Sequence, residues 1–532
     1  MASISIVGRI FQRKPVEMIH AETDHSELKR SLGALNLVLL GIGCIIGTGI
    51  FVLTGLAAAN WAGPGIMISF VITGTLCAFV ALNYAELASA LPVSGSAYSY
   101  SYASMGELVA WIMGVLLLLE YGLAASTVAV GWSRYLASFL ADWHIIIPPE
   151  LMAAPTEPVT DAAGNLIPHA HAFFNLPAVL GIGAVTTLLV IGVSESATVN
   201  NVIVFIKLAV VIAFIGIGAF YVHPALWHPL IPPQIPAPPP GTPTDLGHQI
   251  WQALVDVLTN AKSSKYGIGG VIHGAAVIFF AYIGFEAVST AGAESKNPAR
   301  DMPIGIIGAL AICTVLYIAT TAVLVGIVPY QSLDNPAPIA MAVNRIGITW
   351  FAMIVKIGAI AGLSSVMLVL LYGQTRIFYT MSHDGLLPSQ LAVVHKRFKT
   401  PWINTIIVGI VAAGAAGFMS INQLADLTNV GTLAAFMIVC GSVIYLRITH
   451  PKMARPFKTP LYPIVPILGI LMCFFLLMSL MMNTQTRNFF AIYVIAGIAF
   501  YFVFGLWNSK LGRGVPTTPD LLAGMGAPHP EP

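Results

Sequence analysis

Leu40-Gly41-Ile42-Gly43-Cys44-Ile45-Ile46-Gly47-Thr48-Gly49-Ile50-Phe51 is the stretch on which the fold of this chain turns. Apart from Cys44 its only polar side chain is Thr48, and glycine recurs at positions 41, 43, 47 and 49. It lies within a longer apolar run, Leu35 to Ala58, and about 20 such residues cross a bilayer core as a helix. Each glycine weakens a helix by roughly 1 kcal/mol relative to alanine. In lipid no water replaces a lost backbone hydrogen bond. Gly43 and Gly47 also have the GxxxG spacing of close helix packing, so packing and interruption are both open. A nucleotide-binding turn is not, because the spacing is GxGxxxG and no strand precedes it.

The theme returns at Phe279-Phe280-Ala281-Tyr282-Ile283-Gly284-Phe285-Glu286-Ala287. A carboxylate near mid-depth costs about 2.5–3.5 kcal/mol on insertion scales. Glu286 either bonds to frayed backbone or belongs to a site. The two stretches fall in the first and sixth apolar runs, five apart, as expected of inverted repeats comprising helices 1–5 and 6–10. Paired discontinuous helices in matching halves point to a substrate site at the bilayer midplane. Free N–H groups at a half-helix start attract a carboxylate, and unwound carbonyls accept from an ammonium. A free α-amino acid presents both charges on one carbon.

Composition agrees with a membrane setting. Of 532 residues, 57% are hydrophobic and 9% charged, and the mean hydropathy is +0.84. Soluble proteins carry about 25% charged residues. Soluble, extracellular, disordered and nucleic-acid-binding classes are excluded on these grounds. Cys44, Cys77, Cys313, Cys440 and Cys473 all lie in apolar runs, without zinc or disulfide spacing. Residues 1–31 are polar and do not read as a cleaved signal peptide.

Twelve apolar runs follow: Leu35–Ala58, Gly65–Leu87, Leu108–Val130, Phe174–Val193, Val202–Val222, Gly270–Thr290, Pro303–Val328, Trp350–Phe378, Ile403–Phe418, Thr432–Leu446, Ile464–Met482 and Phe489–Leu506. With a cytoplasmic N-terminus, the outer segments hold only Lys262, Lys265, Arg345 and Arg487 of the 24 Lys and Arg residues. The positive-inside rule therefore places both termini in the cytoplasm. The expected organisation is a cytoplasmic segment 1–31, helices one to five in 32–222, and an outer loop 223–269. Helices six to ten follow in 270–448, helices eleven and twelve in 449–508, and a cytoplasmic tail in 509–532. Prolines crowd Pro224 to Pro243, which predicts an extended, non-helical connection there.

Several motifs resemble the amino acid–polyamine–organocation (APC) superfamily. They are Ile45-Ile46-Gly47-Thr48-Gly49-Ile50-Phe51, Tyr84-Ala85-Glu86-Leu87, Pro92-Val93-Ser94-Gly95-Ser96-Ala97-Tyr98 and Phe280-Ala281-Tyr282-Ile283-Gly284-Phe285-Glu286. Glu294-Ser295-Lys296-Asn297-Pro298-Ala299-Arg300-Asp301-Met302-Pro303 and Ser382-His383-Asp384-Gly385-Leu386-Leu387-Pro388 narrow the likeness to bacterial relatives of the cationic amino acid transporters. The resemblance implies an all-α integral membrane fold, a LeuT-like five-plus-five inverted repeat with discontinuous helices one and six. It further implies that the substrate carboxylate meets the amides of Gly47, Thr48 and Gly49. The amino group would meet carbonyls of Ile45, Phe280, Ala281 and Ile283. Gly362, Leu363 and Ser364 would flank the pocket, and the bulk of Leu363 favours small neutral amino acids over arginine.

Lys207 stands in the fifth run, about 10 Å from its cytoplasmic end. It either snorkels to the interface or, out of water, becomes an ammonium that gives up its proton readily. The resemblance implies the second, because proton-coupled relatives carry a lysine on helix five where sodium-coupled members bind their ion. Its ammonium would approach carbonyls of the first helix and the hydroxyls of Ser364 and Ser365. Glu120, midway along the third run, is either structural or faces the pocket, where it could hold a cationic side chain or join Glu286 in a proton network. Arg134 and Lys356 read as interfacial anchors, and Glu86 as a gate or loop contact.

The expected activity is secondary active transport of L-amino acids in the cell membrane, coupled to protons rather than sodium. It needs no prosthetic group, metal or nucleic acid. Exchange and cationic amino acid transport are the alternatives within the class. A membrane enzyme would need converging catalytic pairs, and the sequence carries no HExxH, GxSxG or P-loop. A channel would need a charge ring or a carbonyl filter. The lipid face leaves room for a sterol or an accessory single-span subunit.

Overall fold

The computed structural model describes residues 6–15, 18, 30–93, 95–157, 159, 167, 171–192, 197–235, 246–259 and 265–514. Expectations about Lys29, Ser94, Lys262, the later prolines of the outer loop and the tail beyond residue 514 fall outside these. Among the described residues there is no β-sheet, only the isolated bridges Leu32–Ser295 and Ile235–Lys265. Among the same described residues nine helical segments are long and apolar enough to cross a membrane, and Ala34–Ile45, Leu176–Ile191 and Trp402–Phe418 are shorter apolar helices. This is an all-helical, multi-pass membrane protein.

In chain order the apolar helices are α1 (Ala34–Ile45), α2 (Ile66–Ala90), α3 (Glu107–Asp142), α4 (Leu176–Ile191), α5 (Ala197–Gly218) and α6 (Gly267–Ile278). Then come α7 (Pro298–Ile327), α8 (Thr349–His383), α9 (Trp402–Phe418), α10 (Ile421–Thr449), α11 (Ile464–Met481) and α12 (Thr484–Asn508). The glycine-rich stretch interrupts the first of them. α1 ends at Ile45, Ile46 is extended, and helical winding resumes at Gly49 in a π-turn running to Leu53. α6 likewise stops at Ile278 and passes through a 3₁₀ turn, Phe279–Tyr282. Glu286–Glu294 then continues as a 3₁₀ helix. α1 packs against α5 and α7, and α6 against α2 and α11. Large apolar side chains face outward along the perimeter, such as Phe205 and Ile212 on α5 and Ile492 and Ile495 on α12. That arrangement suits lipid as the solvent.

Three expectations change. The connection 223–269, expected to be non-helical, holds a helix, Leu246–Thr259. It begins after the last proline, where Leu246, Ile250, Ala253 and Leu254 recur at helical spacing. α10 begins at Ile421, well before Thr432, with Ser420 and Gln423 forming a capping box; Asn422, Gln423, Asp426 and Asn429 had masked its first turns. Lys356 is no interfacial anchor. It is 3% exposed, and its Nζ donates to Ser138 O at 3.0 Å and Asp142 Oδ2 at 2.7 Å, joining α8 to α3. Arg134 pairs with Glu157 at 3.4 Å.

One end of the bundle is sewn together by polar side chains. Lys14 Nζ meets Asp384 Oδ1 at 3.1 Å, and Tyr98 donates to Asp384 Oδ2 at 2.8 Å. Glu107 accepts from Tyr102 at 2.7 Å, from Tyr501 at 3.0 Å and from Ser509. Gln12 reaches Leu511 O at 3.2 Å, and the Lys510 amide donates to Asp384 O at 3.0 Å.

Nearby in the chain order of α2, buried Glu86 accepts from Arg447 Nε at 2.9 Å and Nη2 at 2.5 Å, and from the Thr459 amide at 2.8 Å. Arg455 lies 3.3 Å from it, and Tyr462 lies under the Arg447 guanidinium, 4.3 Å away. The clamp fastens α2 to the connection between α10 and α11. A lysine cannot reproduce the forked contact. Arg447→Lys should therefore cost about 1–2 kcal/mol, read as a lower Tm in detergent with substrate affinity unchanged.

Candidate substrate site

The two interruptions lie against each other. A side chain at Gly49 would collide with Ala281 backbone, and one at Gly284 would come within 2.8 Å of Cys44 Cβ. Gly284 has φ +119°, a conformation that favours glycine. Both breaks are buried throughout. Buried backbone polar groups are nearly always paired, so unpaired ones are informative.

In the first break the amides of Gly47 and Thr48 find no acceptor among the described residues, and Gly49 starts the next turn, where helical N–H groups have no intrahelical partner. Thr48 Oγ1 is also buried without a partner among the described residues, close to Gly131 of α3. The second break has the opposite surplus. The carbonyls of Ala281 and Ile283 find no donor among the described residues. Phe280 O accepts from the Ile283 amide at 3.3 Å, and Ile45 O from the Tyr317 hydroxyl at 2.7 Å. Each of these two carbonyls keeps one free lone pair. Unpaired donors on one limb and unpaired acceptors on the other leave a seat of two signs.

Other groups hold the breaks open. Asn429 donates to Ala276 O at 2.9 Å and Val277 O at 3.1 Å, and Thr73 to Ala275 O at 2.9 Å, steadying the end of α6. Both Glu286 carboxylate oxygens accept from the Gly284 amide, at 3.1 and 2.8 Å. Glu286 thus caps frayed backbone. Glu120 sits on a π-turn of α3, Leu118–Leu123, with both oxygens buried and without hydrogen-bond partners among the described residues. The Glu286 carboxyl is its acidic neighbour. Two carboxyl groups adjacent and away from water are costly unless a proton or a cation lies between them.

Lys207 is fully buried, so it does not snorkel. Its Nζ donates to Gly43 O at 2.7 Å, one turn before the first break. Gly362 makes room for it: a side chain there would lie 2.9 Å from Lys207 Cε. Ser364 donates to Ile360 O at 2.8 Å, and the buried Ser365 hydroxyl has no hydrogen-bond partner among the described residues. Leu363 is fully buried on α8. Sequence reasoning passed over Tyr317 and Asn429. Each is a polar side chain inside an apolar run, the same signal that drew attention to Glu120 and Lys207.

Residues 32–501 match a family model described as amino acid permease. The chain belongs to the amino acid permease family. It is 44% identical to a methylthioribose transporter of Bacillus subtilis, over 95% of this chain and 100% of that one. It is 42% identical to the branched-chain amino acid permease BcaP of the same organism, over 95% and 100%. Cationic amino acid transporter 4 of Arabidopsis thaliana, a vacuolar protein, is 35% identical over 84% of this chain and 68% of its own. As an APC permease the protein is a transporter and not an enzyme.

Proposed function

We propose that this permease carries L-amino acids by alternating access, as a proton-coupled symporter that prefers small neutral substrates. The observation that carries the reading is the pairing of free amides at Gly47 and Thr48 with free carbonyls at Ala281 and Ile283. An α-carboxylate satisfies the first pair and an α-ammonium the second. The buried bulk of Leu363 beside Gly362 leaves little room for a guanidinium.

The same proposal takes the interrupted limbs as halves of one membrane span each, making twelve spans in a LeuT-like five-plus-five repeat with both termini cytoplasmic. The concentration of Lys and Arg in the segments then facing inward supports that orientation. Lys207 supports the coupling. Its ammonium bridges α5 to α1 beside the break, and loss of its proton would weaken that bridge.

The methylthioribose relative gives a second reading of the substrate. An uncharged sugar thioether would leave the amides of Gly47 and Thr48 facing no carboxylate. Radiolabelled alanine uptake in proteoliposomes, competed by branched-chain and cationic amino acids and by methylthioribose, decides between them. The expected result is competition by neutral amino acids, with uptake falling as external pH rises. Competition by methylthioribose alone would overturn the amino acid reading. Counterflow indifferent to the pH gradient would establish an exchanger instead.

A further inference from the structure

We infer that the groove where α5, α7 and the short helix Pro338–Arg345 meet is a binding site for the phosphate headgroup of an anionic phospholipid. A cavity of about 620 Å³ opens there, walled by Tyr221, Leu226, Ile327 and Ile346, with His223 and Arg345 at its polar edge. Neither His223 nor Arg345 has a side-chain hydrogen bond or an acidic partner among the described residues. By contrast, half-buried Arg376 is held by Glu294 and Tyr372, and exposed Arg13 lies over Tyr445.

The depth of the groove matches a headgroup. The 3₁₀ turn that follows α5, Ala219–Tyr221, carries exposed Phe220 and Tyr221, and exposed Trp350 lies at the start of α8, close in sequence to Arg345. Aromatic side chains of this kind gather at the membrane–water interface. The groove is also built. The His223 amide donates to Gly326 O at 2.8 Å, and Trp227 Nε1 to Ala322 O at 3.1 Å, pinning the connection after α5 to the end of α7.

A guanidinium fork and an imidazole N–H match phosphate oxygens. The exposed apolar side of α5 provides a track for an acyl chain, which a free anion would not use. In the orientation proposed above, Arg345 is also among the few basic residues on the outer side, where such residues are depleted. The inference itself needs only that the protein sits in a bilayer, so it stands or falls apart from the choice of substrate.

Native mass spectrometry of the full chain, titrated with dioleoyl phosphatidylglycerol and with dioleoyl phosphatidylcholine, tests it. One phosphatidylglycerol should be held about 10-fold more tightly than phosphatidylcholine. The double substitution His223→Gln with Arg345→Gln should erase that preference without lowering Tm, and Arg345→Lys should retain most of it. The inference is overturned by an unchanged preference in the double variant, or by none in the parent. Displacement of the lipid by millimolar inorganic phosphate would likewise overturn it, by showing a free-anion site.

Discussion

Lys207→Ala should abolish proton-driven accumulation while leaving the protein inserted and able to exchange substrate. Lys207 is fully buried, and the hydrogen bond from its ammonium to Gly43 O, at 2.7 Å, ties α5 to the limb that ends in the first break. Carriage of one proton per substrate lets a pH difference of one unit support about 10-fold accumulation, since a pH unit is worth 1.36 kcal/mol. Without an ionisable group at this position the substrate can only equilibrate, so the expected accumulation ratio is about 1. Lys207→Arg should also fail, because a guanidinium does not give up its proton. Accumulation in the alanine variant that is undiminished and independent of pH would remove Lys207 from the mechanism.

Gly49→Ala should lose most uptake, whereas Gly47→Ala should lose little. A methyl at Gly49 runs into the backbone of Ala281 and drives the two breaks apart. Overpacking of this kind costs about 1–3 kcal/mol, and here it falls on the atoms proposed to hold the substrate. At least 10-fold lower uptake is expected. A methyl at Gly47 meets the Val366 methyl groups at 3.6 Å and Ile45 O at 3.9 Å, ordinary contacts, and leaves the Gly47 amide in place. Size-exclusion profiles of both variants separate misfolding from lost transport. Parental uptake by Gly49→Ala would show that the contact between the breaks does not matter.

Much of this architecture was legible because lipid makes the rules strict. Long apolar runs had nowhere to go but across a membrane, and glycines where water cannot repair the backbone marked both interruptions. What escaped was polar structure that packing conceals. The first turns of α10 carry Asn422, Gln423, Asp426 and Asn429, so hydropathy began the helix at Thr432 although the fold begins it at Ile421. Lys356 stands near a helix end, as an anchor would, but it is aimed inward at Asp142. Tyr317 and Asn429 show the same limit. Whether a tyrosine hydroxyl bonds to Ile45 O depends on how α7 is rotated against α1, and no local pattern states that. At the site, sequence supplied the residues of both breaks, but which amides and carbonyls stay free emerged only from the three-dimensional pairing.

The stitching that joins residues 12–14 to residues 509–511 has a consequence for how the protein is made. Asp384 accepts from the Lys510 amide, and Glu107 from Ser509. These fastenings cannot close until the ribosome has delivered α12 and residues 509–511. A chain that terminated before α12 would leave the buried Glu107 carboxylate without its Tyr501 and Ser509 donors, a poorly paired group that destabilises the incomplete bundle.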